Sequence, residues 1–376
     1  MYIGQKENKK LESLILVVSD FHIGQGHEFG KPNKYDEFFF DEDFAEFLEY
    51  YSTGTFSNIN VELVINGDFF DLLKVRYNNK FPDVITEIVA ISKLKDCIKG
   101  HPIVIEALKK FLSYKKNKIT YIPGNHDMEF FFDSVQEVFR QTLTDNESRD
   151  RINFITDTTI YKLKGNVQIH HGFQFELPNI INLKTLILTK NLPQPVLNLP
   201  WGSYFVLNVI NPLKAERPYI DQIRPFSRFL LGSLILDVSF TLRLIFKTIY
   251  YFCRVRFFKH PARNSKFSRT FKLITKGLTF YPTLDEHAKK ILHNNANIQV
   301  VIFGHSHIFR IRSFDNNKLY INTGTWTKIM NLDLFEFAQN VKKTYAQIEY
   351  YKNEDKPSAF LLEWKGMTKQ FKMLNF

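Results

Sequence analysis

Six short apolar runs, rich in β-branched residues, each end in a small polar cluster: LILVVSDFH, VELVINGDFFD, KITYIPGNHD, VQIHHG, QVVIFGHSH and KLYINTGTW. A strand buried on both faces reads as such a near-continuous run, and α/β proteins bind ligands just beyond the carboxyl ends of their strands. The repetition therefore predicts an α/β chain whose strands converge on one polar site. Helix signals alternate with the strand signals. After Asp41, residues Phe44, Phe47, Leu48 and Tyr51 recur at the spacing of a helix that covers a sheet. Thr283 and Glu286 stand at capping-box spacing, which predicts a helix through Leu292 leading into QVVIF.

The polar clusters have the composition of metal ligands. Asp20 and His22 are separated by one residue, so on an extended strand end both would project to one side. A carboxylate and an imidazole so placed suit a divalent transition metal. In NGDFFD, Gly67 permits a tight turn and Asp68 offers two oxygens, enough to bridge two cations. Asp71 follows one turn later, where an acid at a helix N-terminus is the simpler alternative. Pro123 and Gly124 fix a turn presenting Asn125, His126 and Asp127, of which the amide is a neutral oxygen ligand and the imidazole can act on a substrate. Alternation sends His170 and His171 to opposite faces, and His171, at the turn before Gly172, is the one expected in the site. His305 and His307 repeat the one-residue spacing. Together these residues suffice for two metals, which in such sites clamp the attacking and leaving oxygens of a phosphoryl displacement.

An insertion of different character separates the HG and GHSH motifs. Three stretches result: a core beginning at 12–172, a basic and apolar insertion at 173–282, and the second part of the core at 283–376. From Phe173 to Asn295 there are 18 Lys and Arg against 6 Asp and Glu, so the whole excess of a chain with net charge +11 lies there. From Arg254 to Lys276 there are eight basic residues and no acidic one, directly after the apolar stretch 229–253. That stretch is long enough to span a bilayer, but Asp237, Arg243 and Lys247 would each cost about 2.5 to 3.5 kcal/mol near its centre. A buried lid helix or an interfacial helix is expected instead.

The ordered series DxH, GDxxD, GNHD, HG and GHSH resembles the calcineurin-like metallophosphoesterase superfamily from Asp20 to His307, leaving the insertion uncovered. The resemblance implies two mixed β-sheets packed as a sandwich with outer helices, to which a mainly helical lid insertion is added. It implies that Asp20, His22, Asp68 and His307 hold one metal and Asp68, Asn125, His171 and His305 the other, with Asp68 as the bridge. His126 would act on the leaving side and Asp71 would orient it. The implied activity is hydrolysis of a phosphoester or pyrophosphate bond by in-line attack of a hydroxide bridging two divalent metal ions. Imidazole and carboxylate ligands admit Mn, Fe, Zn or Co, and Mn is taken first. Asn322 to Trp326 match the strand and turn that usually follow GHxH, in a supporting role.

Substrate choice must come from the insertion. Its position is similar to that of the lid in UDP-2,3-diacylglucosamine pyrophosphatase-like members, which implies a phosphorylated small molecule or lipid, such as an acylated or lipid-linked nucleotide sugar, cleaved at an anionic membrane surface. Two departures stand against a full match: the insertion is longer, and GNHD carries His126 where Arg is common. A nuclease or nucleotide phosphodiesterase is the alternative, with the basic run holding nucleic acid and Phe257, Phe258, Phe267 and Phe271 stacking on bases. A non-catalytic metal-binding scaffold would not need every expected ligand. Two cysteines without CxxC spacing, and no secretory h-region, favour a cytoplasmic protein, peripheral on the inner face of the membrane.

Overall fold

The computed structural model describes residues 9–27, 33–145, 148–224, 232–257, 284–331 and 341–374. Thr283, Phe258, Phe267, Phe271, the side chain of Phe257 and most of the basic run up to Lys276 lie outside the described residues.

Two mixed sheets carry the fold. The larger is built on parallel strands β1 (Leu11–Val18), β2 (Asn60–Asn66), β3 (Lys118–Ile122) and β4 (Ile152–Phe154). The smaller contains β5 (Ile160–Leu163), β6 (Val167–His170), β7 (Val300–Phe303), β8 (Arg310–Phe314) and β9 (Lys318–Asn322), in the order β8-β9-β7-β6-β5. Its central three strands, β6, β7 and β9, are parallel. The chain then returns to the larger sheet as an antiparallel meander, β10 (Lys343–Tyr351), β11 (Ser358–Gly366) and β12 (Gln370–Met373), placed against β1.

Residue alternation explains the layers. Along β1, Leu14, Leu16 and Val18 face one cluster while Ile15 and Val17 face another. The second cluster, with Val64, Ile169, Ile302 and Ile321, lies between the two sheets. The first lies under helices α1 (Asp41–Tyr50), α2 (Glu87–Gly100), α3 (Pro102–Ser113) and α4 (Asp133–Leu143). Both faces of each strand are therefore buried, which is why the runs are continuously apolar. The helix expected after Asp41 is α1, burying Phe44, Phe47 and Leu48. The outer face of the smaller sheet is covered by Leu284, Ala288 and Leu292, which belong to a helix at Leu284–Asn294.

The insertion is helical in its larger pieces. A helical run from Trp201 to Lys214 is followed by helix α5 (Val238–Phe257), and the helix at Leu284–Asn294 becomes α6. Asp237 interrupts the apolar stretch expected as one unit: its side chain accepts from the Phe240 amide, starting α5 there. Among the described residues no helix is long and apolar enough to cross a membrane. One face of α5, with Phe240, Leu244 and Tyr251, is buried in the first cluster, and Tyr251 stacks near Trp201 and Phe205.

Candidate metal centre

Five parallel strand ends point at one place. The loop after β1 carries Asp20 and His22, that after β2 carries Asp68, and that after β3 carries Asn125 and His126. His171 follows β6, and His305 and His307 follow β7. The strand-end alternation argument for Asp20 and His22 does not describe their backbone. β1 stops at Val18, and Asp20, His22, Asp68, His305 and His307 all adopt the left-handed region, with φ between 51° and 65°. Each such residue costs about a kcal/mol or more, and its persistence needs the surrounding structure to impose it. Here the backbone hydrogen bonds Asp20 N to Gly67 O and His22 N to Asp68 O lock two of the loops together. Gly67 (φ 80°) is required by conformation and by contact, and Gly124 by contact. A Cβ at Gly67 would overlap the His171 ring, and one at Gly124 would overlap the Asp68 carboxylate.

The side chains form three groups, the first two sharing His22, each with ligand atoms within 4.8 Å of one another: Asp20, His22 and His307; His22, Asp71 and His126; Asp68, His171 and His305. Asp68 stands between the first and third, its Oδ2 lying 3.9 Å from His22 Nε2 and 3.2 Å from His171 Nε2. Asp71 is no simple helix-start acid. It spans two imidazoles, at 3.1 Å from His22 Nδ1 and 2.9 Å from His126 Nδ1, and it also touches Lys74 at 3.0 Å. His170 points away, bonding Gln168 and Gln174 and packing on Phe303; burial pushes its pKa down to about 4. The NTGTW turn supports the site, as Thr325 Oγ1 donates to the Asp20 carbonyl and Asn322 Nδ2 to that of Gly304.

Tautomers follow from these partners. His171 Nδ1 must donate to the Asn66 carbonyl, 2.7 Å away, and His22 Nδ1 to the Asp71 carboxylate, which leaves each Nε2 bare. His171 Nε2 is buried without a hydrogen bond, since Asp68 is close but not aligned with it, and Asn125 Oδ1 is likewise buried and unbonded. His22 Nε2 and His307 Nε2 face each other at 3.1 Å, an arrangement satisfied when one ring donates to the other or when a cation lies between them. Orphaned donors of electron pairs, directed at one another among carboxylates, fit divalent cations, and buried polar atoms are otherwise almost always paired.

The electrostatics agree with that fit. Burial works against protonating His171 and His126, but the carboxylates outweigh it, Asp68 and Asp20 raising His171 to about 10 and Asp71 and Asp68 raising His126 to about 9. Burial would raise Asp68 and Asp71, yet His171 and His126 hold Asp68 well below the usual range, and Lys74 and His126 do the same for Asp71. The centre thus attracts positive charge, and cations entering it would compete with protons for the imidazoles that face it. Asp127 completes GNHD as a brace: its carboxylate accepts from the Gly124 and Phe69 amides and the Tyr121 hydroxyl. Burial, reinforced by Asp68, raises it to about 7.

The insertion reaches the centre at three points that the motifs do not reveal. His305 Nε2 lies 2.8 Å from Glu176 Oε2. Ser203 Oγ donates to the Asn125 carbonyl at 3.4 Å. Lys74, which holds Asp71, also contacts Glu37 at 2.8 Å and Asp221 at 2.7 Å, and buried Lys214 joins the same two carboxylates. Lys74 stands three residues after Asp71, yet a lysine there carries no ligand signal in a single sequence. Glu176 stands five residues after His171, and only its proximity to that motif could have marked it.

The two sheets and the facing imidazole and carboxylate groups define a metal-dependent hydrolase built on an α/β sandwich. The chain belongs to the calcineurin-like phosphoesterase family, whose model matches residues 13–231, and it is a metal-dependent phosphoesterase. No curated protein sequence matches it. Similar solved structures include a dimetal phosphatase from Danio rerio, at 7% identity over 98% of this chain and 100% of that one, with a TM-score of 0.37. Vacuolar protein sorting 29 from Cryptosporidium parvum is 12% identical over 97% of each chain, with a TM-score of 0.34. The Zn-complexed homonym from Entamoeba histolytica is 10% identical over 96% of this chain and 97% of that one, with a TM-score of 0.30.

Proposed function

We propose that the centre binds two divalent cations, Mn first among the candidates, and that the enzyme hydrolyses a phosphoester or pyrophosphate bond of an acylated or lipid-linked nucleotide. The position of Asp68 carries the first part, because its carboxylate touches both donor groups and so can serve both. Asp20, His22 and His307 would complete one site, and Asn125, His171 and His305 the other. When bound, the cations supply the charge that acidifies water and neutralises phosphate oxygens.

The chain's own residues do the rest. His126 is partly exposed, like His305 and His307, and Asp71 holds its Nδ1 at 2.9 Å, which leaves Nε2 for a substrate. With its pKa raised to about 9, the ring carries a proton at neutral pH and can give it to the leaving oxygen as the P–O bond breaks. Lys74 keeps Asp71 ionised and in place while it holds both His22 and His126. The insertion supports the substrate reading, since a basic and apolar element that touches Asn125 and His305 borders whatever occupies the centre. Two unpaired cysteines, Cys97 and Cys253, support a reducing, cytoplasmic setting.

A hydrolysis panel on Mn-loaded protein tests this reading, comparing a phosphomonoester, a phosphodiester, an acylated UDP-sugar and an oligonucleotide, with and without detergent micelles. The acylated substrate is expected to be cleaved fastest, and only with micelles. Faster cleavage of the oligonucleotide, falling steeply with salt, would replace the lipid reading with a nuclease.

A further inference from the structure

The helix α5 has more apolar surface than the fold uses. Phe240, Leu244 and Tyr251 fill the face that packs on Trp201 and Phe205, yet the opposite side is apolar as well. Val238, Leu242, Ile245, Phe246 and Ile249 are all exposed, and their spacing of i, i+4, i+7, i+8 and i+11 places them on one stripe. The turn before it adds Ile235, 81% exposed, and Leu236, 88% exposed, while Phe246 itself is 70% exposed. Scattered exposed apolar residues are ordinary, but a contiguous ridge marks a surface that meets something.

We propose that this ridge docks on an anionic bilayer surface, α5 lying in the interface plane. Charge selects that occupant. The helix α5 itself carries Arg243, Lys247, Arg254 and Arg256 and no acidic residue. A second copy of the chain docked ridge to ridge would bring two such positive helices together, which like-charge repulsion opposes. Anionic headgroups satisfy them instead, as in interfacial helices that combine an apolar face with flanking Lys and Arg. The feature is a convex ridge, and a fluid lipid boundary conforms to protruding side chains without needing a matching groove. Docking in this way does not depend on which phosphoester the centre cleaves.

Co-sedimentation of the full, Mn-loaded chain with vesicles tests the proposal, comparing mixed phosphatidylglycerol and phosphatidylcholine with pure phosphatidylcholine. Binding is expected to the anionic vesicles, to weaken at high salt, and to fall by about tenfold or more in the double variant Phe246→Glu, Ile249→Glu. Leu242→Gln, a single exposed exchange, should lower binding less but in the same direction, and hydrolysis of a soluble phosphoester should be unchanged in both. Equal binding to both vesicle types, undiminished binding by the variants, or conversion of a wild-type dimer into a monomer by the double variant would each overturn it. Loss of all phosphoesterase activity in a wild-type chain that still binds vesicles would refute the proposed function and leave the docking intact.

Discussion

The strand-end loops and the insertion contribute to the centre in different ways. The loops bring bare donor atoms: His22 Nε2, His171 Nε2, Asn125 Oδ1 and the Asp68 carboxylate. The insertion brings groups that hold those donors in position, Glu176 on His305 and the Asp221–Lys214 pair behind Lys74 and Asp71. The difference teaches that chemistry and its orientation are encoded in separate stretches of the chain. Groups that orient metal ligands commonly matter to affinity nearly as much as the ligands themselves.

That contrast can be broken most severely at His126. Replacing it with Gln should lower kcat by about two to four orders of magnitude while metal content stays at the wild-type level. Loss of metal on that exchange would move His126 from the substrate side to the ligand set. Glu176→Gln should do the converse, weakening metal affinity about 10- to 100-fold with kcat near wild type at saturating metal. Metal titration by calorimetry reads the first quantity and steady-state kinetics the second. Unaltered affinity would reduce the insertion to a cover.

A smaller effect is expected at Asp221→Asn, which removes one carboxylate from the buried lysines: about a tenfold fall in kcat as Asp71 loses its support. The stability cost should be about 2 kcal/mol, below that of breaking a fully buried pair because Asp221 is partly exposed. An effect on stability alone, without one on turnover, is expected in the loop on which the insertion rests, where Tyr35 OH donates to the Asn211 carbonyl. His101 ties that loop to α1 through Asp36 at 2.8 Å and Asp41 at 2.7 Å. Burial works against its charge, but the two carboxylates raise it to about 9. Its folded pKa lies above the unfolded value near 6.5, so the stabilisation is fully present below that value and is lost as pH rises through about 9. Denaturant unfolding should show wild type losing up to about 3 kcal/mol over that window relative to His101→Gln.

Much of this was legible because metal ligands must cluster at turns after buried strands. The runs before Asp20, Asp68, Asn125, His171 and His305 read as parallel strands, and β1, β2, β3, β6 and β7 are those strands. Alternation separates His170 from His171 and the turn at Gly172 favours His171; His170 lies against Phe303 on the far face. The left-handed backbone of Asp20 and His22 was not legible, since a DxH reads the same in either conformation. Nor were Glu176, Asp221 and Lys214, whose partners are set by how the insertion folds back on the loops. The apolar stretch near Asp237 was legible as non-spanning, but its division into a buried and an exposed face needed the packing of α5 on Trp201.

The central claim is that Asp68 serves two metals at once. Elemental analysis of purified wild type and Asp68→Ala, each dialysed against Mn and then freed of excess metal, tests it directly. Wild type should hold two metal ions per chain, and the variant should hold none or one loosely, with no measurable turnover. A variant that keeps both metals and full activity would contradict the account.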